Sequence, residues 1–186
     1  HHTISPMGLA GGGSNPKPGE ISLAHNGVLF LDELPEFGKE VLEVLRQPLE
    51  DGKVQISRVS GSVCYPCQFM LLCAMNPCKC GWYGHPSGRC RCSENEVKRY
   101  LSRLSGPLLD RIDIQIELGP VSFDDMHAGG EEGEHSSEIR ARVNRARAFA
   151  RERFRGAGGR FSNAALSPAE VRKYCLLDEG ADTLLR

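Results

Sequence analysis

The chain has 186 residues, 23 Lys+Arg against 24 Asp+Glu, and 40% hydrophobic residues. That suits one packed domain or a domain plus part of another, and the balanced charge leaves any nucleic-acid or membrane partner to be read from local clusters. The apolar runs are far too short to span a bilayer, and His1-His2-Thr3-Ile4 lacks the regions of a secretory signal, so a cytoplasmic chain without membrane attachment is expected, excised from something longer.

Residues 1–20 are rich in Gly, Pro and Ser, including Gly11-Gly12-Gly13-Ser14 and Pro16-Lys17-Pro18-Gly19, which predicts a loop with one short hairpin. The unbroken run Val28-Leu29-Phe30-Leu31, ending at Asp32-Glu33, predicts a buried parallel strand. Val41, Leu42 and Leu45 share a helical face, and Pro48 is expected to stop that helix. From Asp51-Gly52 onward, alternating Val54 and Ile56, a turn at Ser60-Gly61, and then Val63 and Tyr65 predict a β-hairpin. Phe69 to Met75 predicts a second buried strand, ending at Asn76-Pro77. Ser93-x-x-Glu96 is a capping box ahead of Val97, Tyr100, Leu101 and Leu104 at helical spacing. Ile112, Ile114, Ile116 and Leu118 alternate with polar residues and predict a third strand nearer the sheet edge. Residues 123–135 predict a linker. Beyond it Ile139, Val143, Ala146, Ala150 and Phe154 form one helical stripe, and Ser167-Pro168-x-Glu170 opens another helix. The expected organisation is a sheet-and-helix core over 1–122, the linker, and the start of an all-helical lid over 136–186.

Four apolar residues ending in Asp-Glu suit nucleotide hydrolysis at a strand's C-terminal edge, where ligands of open α/β sheets bind. Asp32 would hold Mg2+ through its water shell. Glu33 would orient and polarise the attacking water. The plain alternative is a strand ending in two solvated acids. Asn76 ends the next apolar strand with an amide that can hydrogen-bond that water or the γ-phosphate; a turn-forming Asn-Pro is the alternative. Arg111, just before the third strand, can stabilise charge on a transferring phosphate of a neighbouring subunit. Its alternative is a salt bridge to Asp110 or Asp113.

Cys78-Lys79-Cys80 and Cys90-Arg91-Cys92 flank a Gly-rich loop containing Trp82 and His85. Two close thiolate pairs suit tetrahedral Zn2+, with reduced free cysteines or late disulfides as the alternatives. Cys64 and Cys67 form a C-x-x-C on the hairpin's return strand that reads as incidental.

Several runs together resemble the magnesium-chelatase-like AAA+ family. They are residues 19–37, with Asp32 and Glu33 as the Walker B pair; Arg46-Gln47-Pro48-Leu49-Glu50-Asp51-Gly52; Ala74-Met75-Asn76-Pro77-Cys78; and residues 100–113. The Cys-rich segment and the Ser167-Pro168-Ala169-Glu170 start resemble the competence-protein ComM branch. The resemblance implies an α/β P-loop NTPase core, here partial, with a parallel sheet, an inserted β-hairpin and the start of a helical lid. It implies Asn76 as first sensor, Arg111 as arginine finger, ATP and Mg2+ as cofactors, a hexameric ring and, for that branch, DNA branch migration during natural transformation. It also implies that residues 8–19 and the hairpin over 53–66 face a central channel, making Lys17, Lys53 and Arg58 candidates to touch DNA phosphates. Solvated loop charge is the alternative for each; residues 140–160 carry eight arginines, for which a solvated lid-helix surface is the alternative to a DNA contact.

The sequence departs from that family in holding no G-x-x-x-x-G-K-[ST]. The nearest stretch, Gly11 through Lys17, has Pro16 and is followed by Pro18, and proline has no N–H to cradle phosphate. The chain also stops before a second-sensor arginine would appear, so this chain alone is expected to be inactive. The competing functions are the ATPase subunit of a magnesium chelatase and a non-catalytic zinc-binding interaction module.

Overall fold

A computed structural model describes residues 1–58, 61–121, 133–155 and 163–185. The chain divides into two units, His1–Pro120 and Val121–Arg186.

The first unit starts with a one-turn helix, α1 (Pro6–Ala10), capped by the Ser5 side chain, which accepts the Gly8 N–H at 3.0 Å. The Gly-rich segment folds back as β1 (Gly11–Gly12) paired antiparallel with β2 (Lys17–Pro18). The return is so close that a Cβ on Gly19 would lie 2.3 Å from the Gly11 nitrogen and 2.4 Å from the Leu9 oxygen. Only glycine fits there. Helix α2 (Glu20–Leu23) follows and buries Ile21.

Strand β3 (Val28–Leu31) pairs in parallel with β6 (Met70–Cys73), from Val28 opposite Met70 to Leu31 opposite Cys73. The parallel sheet forms as expected, but it is not buried on both faces. Leu29 and Leu31 are buried, whereas Val28, Phe30, Met70 and Leu72 are 52–65% exposed. An unbroken apolar run reports that a strand can be covered on both sides; in the described residues only one side has a cover.

Between these strands lie α3 (Lys39–Glu43), α4 (Arg46–Asp51) and the hairpin β4 (Lys53–Arg58) with β5 (Gly61–Pro66). Pro48 does not end a helix, contrary to expectation. It sits in the first turn of α4, where a missing N–H costs nothing, and the break falls earlier, between α3 and α4. Gly52, in the left-handed region at φ 64°, terminates α4 and turns the chain into the hairpin. Leu34, Phe37, Val41, Leu42, Leu45, Val54, Ile56, Leu104 and Leu108 join Leu9, Ile21, Leu29 and Leu31 in one core. Each large aliphatic side chain buried there stabilises the unit by roughly 1.5–3 kcal/mol.

Helix α5 (Glu94–Leu101) has the full capping box: Glu96 N–H donates to Ser93 Oγ at 3.3 Å and Ser93 N–H donates to Glu96 Oε2 at 2.8 Å. One turn of helix, α6 (Gly106–Leu109), follows. The third strand expected around Ile112–Leu118 is absent: residues 112–121 form no ladder, and Ile114, Ile116 and Leu118 are 76–87% exposed. Alternation can nominate a strand, but a strand exists only with a neighbour for its N–H and C=O groups.

The second unit contains α7 (Ser136–Arg153), α8 (Pro168–Tyr174), opened by the Ser167–Glu170 capping box, and α9 (Glu179–Leu185). The apolar stripe expected on α7 lies on a helix with no buried residue; Phe154, just past its end, is buried and meets Tyr174 edge-on at 6.2 Å. Most of the expected linker over 123–135 lies outside the described residues. Among the described residues no helix is long and apolar enough to cross a membrane.

Candidate functional site

Because β3 and β6 run parallel and in register, their C-terminal ends open on the same edge of the sheet. Two backbone bonds extend the pairing past the strands. Ala74 N–H donates to the Leu31 carbonyl and Leu34 N–H donates to the Ala74 carbonyl, each at 3.0 Å. They straddle Asp32 and Glu33, so this pair and the segment leading to Asn76 emerge side by side. Asp32, Glu33 and Asn76 are all exposed.

The strand's alternation places Asp32 on the uncovered face with Phe30. Asp32 Oδ1 accepts the Glu33 N–H at 2.9 Å. Glu33 itself adopts φ 54°, ψ 47°. A non-glycine residue there costs free energy that the surrounding fold must offset, and such residues cluster at functional sites. The turn after it, Leu34–Glu36, has Pro35 in its first positions.

Contacts that sequence reasoning missed hold this rim. His2 Nδ1 lies 3.2 Å from Glu33 Oε2. Arg103 donates to the Pro35 carbonyl at 2.9 Å and to Glu36 Oε2 at 3.2 Å, tying the end of α5 to the turn after Glu33. No local pattern marks either contact, since each joins residues far apart in sequence; the only signal was that Arg103 falls inside a run already singled out.

Arg111 is not brought to the rim by any described contact. It lies in the turn after α6 and pairs with Glu50 of α4, not with Asp110 or Asp113. Lys17 and Lys53 are exposed. Their two loops are fastened together: the Tyr65 hydroxyl of β5 donates to the Pro16 carbonyl at 3.0 Å. Arg58 pairs with Gly61 at the hairpin's end; its side chain lies outside what is described.

Beyond Asn76 the chain closes on itself. The thiol sulfurs of Cys78, Cys80, Cys90 and Cys92 all lie within 4.8 Å of one another. Three separations are 3.4 Å (Cys78–Cys80), 3.9 Å (Cys78–Cys90) and 3.6 Å (Cys80–Cys90). Gly81, at φ 81°, closes the turn over Cys78–Cys80 by donating its N–H to the Cys78 carbonyl at 3.0 Å. The backbone N–H of Trp82, followed by the Cys78 thiol, holds Cys80 down at about 6. Cys92 is pulled down by the backbone N–H of Cys80, but its contacts with Cys80 and Cys78 and its desolvation outweigh that and push it up to about 12. One thiolate in the cluster therefore opposes another unless a cation joins them.

His85 stays out of this cluster; its ring packs edge-on against Trp82 and its Nδ1 accepts the Ser87 N–H. Cys64 and Cys67 also stand apart, and burial pushes Cys67 and Cys73 up to about 11 each.

Residues 1–126 match the family model described as magnesium chelatase, subunit ChlI, and residues 133–186 match the model of that subunit's C-terminal region. The chain belongs to the magnesium chelatase subunit ChlI family. It is 45% identical to competence protein ComM of Haemophilus influenzae over 96% of this chain and 34% of that protein. It is 44% identical to the uncharacterised protein YifB of Salmonella typhimurium, over 95% of this chain and 34% of that one. YifB of Escherichia coli is 42% identical, with 96% and 34% covered. The chain thus spans about a third of the length of these relatives. It is also similar to a crystal structure of NtrX from Brucella abortus in complex with ADP, at TM-score 0.39 and 20% identity over 60% of this chain and 22% of that one. Membership of the ChlI family makes the α/β core a partial AAA+ core, with its parallel sheet and inserted hairpin.

Proposed function

We propose that this chain carries the hydrolytic edge of an ATP-driven AAA+ motor. The observation that carries the reading is the shared strand edge at which Asp32, Glu33 and Asn76 emerge together. Asp32 is exposed and engages its neighbour's N–H through one oxygen, leaving acceptor capacity suited to hydrated Mg2+. ATP and Mg2+ are the cofactors this residue set fits; the metal supplies charge neutralisation at the phosphates. Glu33 orients and polarises the water, and Asn76 donates its amide to that water or to a phosphate oxygen. Arg111 acts on a neighbouring subunit in a hexameric ring, and its pairing with Glu50 keeps it ordered until that interface forms. The core over 1–122, a linker over 123–135 and a helical lid from 136 complete this reading.

In the whole protein the motor acts on DNA in the cytoplasm, as a branch-migration helicase in natural transformation. Support comes from the name of the Haemophilus relative, a competence protein, and from the Tyr65–Pro16 bond that sets Lys17 and the hairpin bearing Lys53 and Arg58 side by side. A chelatase motor is the second reading, favoured by the description of the matching family model. The separating experiment is ATP hydrolysis by the whole protein with and without branched DNA. Stimulation by DNA supports the helicase reading; none, together with stimulation by porphyrin-binding partner subunits, supports the chelatase.

A further inference from the structure

The cysteine cluster is complete without any other part of the protein. Four sulfurs around one Zn2+ with bonds of about 2.3 Å sit about 3.8 Å apart in a tetrahedron. The separations of 3.4, 3.9 and 3.6 Å bracket that value. They are far longer than the ~2.05 Å of a disulfide. Cys78 is fully buried, Cys90 and Cys92 half-buried and Cys80 exposed, so the cluster is anchored at one corner and reachable at another.

The cluster is also joined to the sheet edge. Cys78 follows Asn76 by two residues, and a Cβ built on Gly81 would lie 3.9 Å from Asn76 Oδ1. The Asn76 amide therefore rests beside the turn that Cys78 and Cys80 close. On the far side Cys92 abuts Ser93, the cap of α5, and Arg103, two residues past that helix, holds the turn after Glu33. Within the loop, Arg89 stacks over Trp82 at 5.1 Å, which packs the segment between the two cysteine pairs.

We propose that Cys78, Cys80, Cys90 and Cys92 hold one Zn2+ ion and that this ion braces the loop presenting Asn76. Four Zn–S bonds form, and the protons of those thiols still protonated leave to the buffer. The ion fixes both ends of the loop, so Asn76 keeps one position beside Gly81. This claim does not depend on the ATPase reading, because it concerns metal content and local order in the chain itself.

The test is metal analysis of the 186-residue chain purified from zinc-supplemented culture. About one zinc per chain is expected. Cys80→Ser and Cys92→Ser should each remove most of it, with far-UV circular dichroism unchanged, and Cys64→Ser should keep it. Replacement by Co2+ should give the intense visible bands of a tetrahedral tetrathiolate. Well under one zinc, iron in its place, or a pale octahedral cobalt spectrum would overturn the site. The brace is read by amide hydrogen exchange: after zinc removal, residues 76–82 should exchange at least about tenfold faster while the β4–β5 hairpin holds its protection. Unchanged exchange at 76–82, or loss of the hairpin in parallel, would overturn the bracing role.

Discussion

The two constellations on either side of Asn76 are built differently. The cysteine cluster draws all four of its sulfurs from residues 78–92, and they stand within 4.8 Å of one another. The carboxylate rim draws Asp32 and Glu33 from one strand and Asn76 from another, leaves all three exposed, and shares the edge with an apolar face bearing Phe30 and Leu72 that nothing described covers. A local site needs only its own turns to form. A site assembled from a sheet edge gets its orientation from tertiary pairing and its ligand grip from other segments, so the same chain should be competent at one and not at the other.

The widest gap is therefore expected in ligand binding. The chain should take up zinc stoichiometrically yet bind Mg-ATP more weakly than about 1 mM, corresponding to less than about 4 kcal/mol. Isothermal calorimetry reads both, and micromolar ATP affinity would break the contrast.

In the whole protein, Asn76→Ala should lower ATPase kcat by about 10²- to 10³-fold, the scale of losing one positioned donor. Zinc content should not change. An equal loss of zinc would mean that rim and cysteine cluster are one site rather than two.

Weaker again, Arg58→Ala should reduce DNA-stimulated hydrolysis a few-fold and lower the salt slope of DNA binding by about one. No change in either would remove Arg58 from the DNA contacts.

Smallest is the cap between the cysteine cluster and α5. Ser93→Ala should cost about 1 kcal/mol in urea unfolding. The backbone N–H of Ser93, and then its hydroxyl, hold Glu96 below the usual carboxylate range. Its folded value is depressed, so this support is present above the ordinary glutamate range and is lost as pH falls through the lowered value. Stability of the wild type should therefore fall further on acidification than that of Glu96→Gln.

What was legible in the sequence follows the same division between local and assembled features. Capping boxes at Ser93 and Ser167, the hairpin over 53–66 and the C-x-C pairs are short-range patterns, and each formed where its residues stood. The β3 and β6 strands were readable from their apolar runs, but not that Val28 and Phe30 would face outward, because burial depends on what lies opposite. Ile114 and Ile116 show the limit: alternation without a partner strand yields exposed coil. Pro48 falls in a first turn and not a last one, and a proline's effect on a helix depends on which of the two it occupies. The contacts of Glu33 with His2, of Arg103 with Pro35 and Glu36, and of Tyr65 with Pro16 join residues far apart in sequence, which no window of it displays.

The central claim is that the Asp32–Glu33 edge hydrolyses ATP. Its most direct test is Glu33→Gln in the whole protein, measured by ATP binding and by single-turnover hydrolysis. The account predicts that ATP is still bound while hydrolysis falls by about 10²- to 10⁴-fold, the range for losing a general base. Hydrolysis at the wild-type rate in that variant would contradict it.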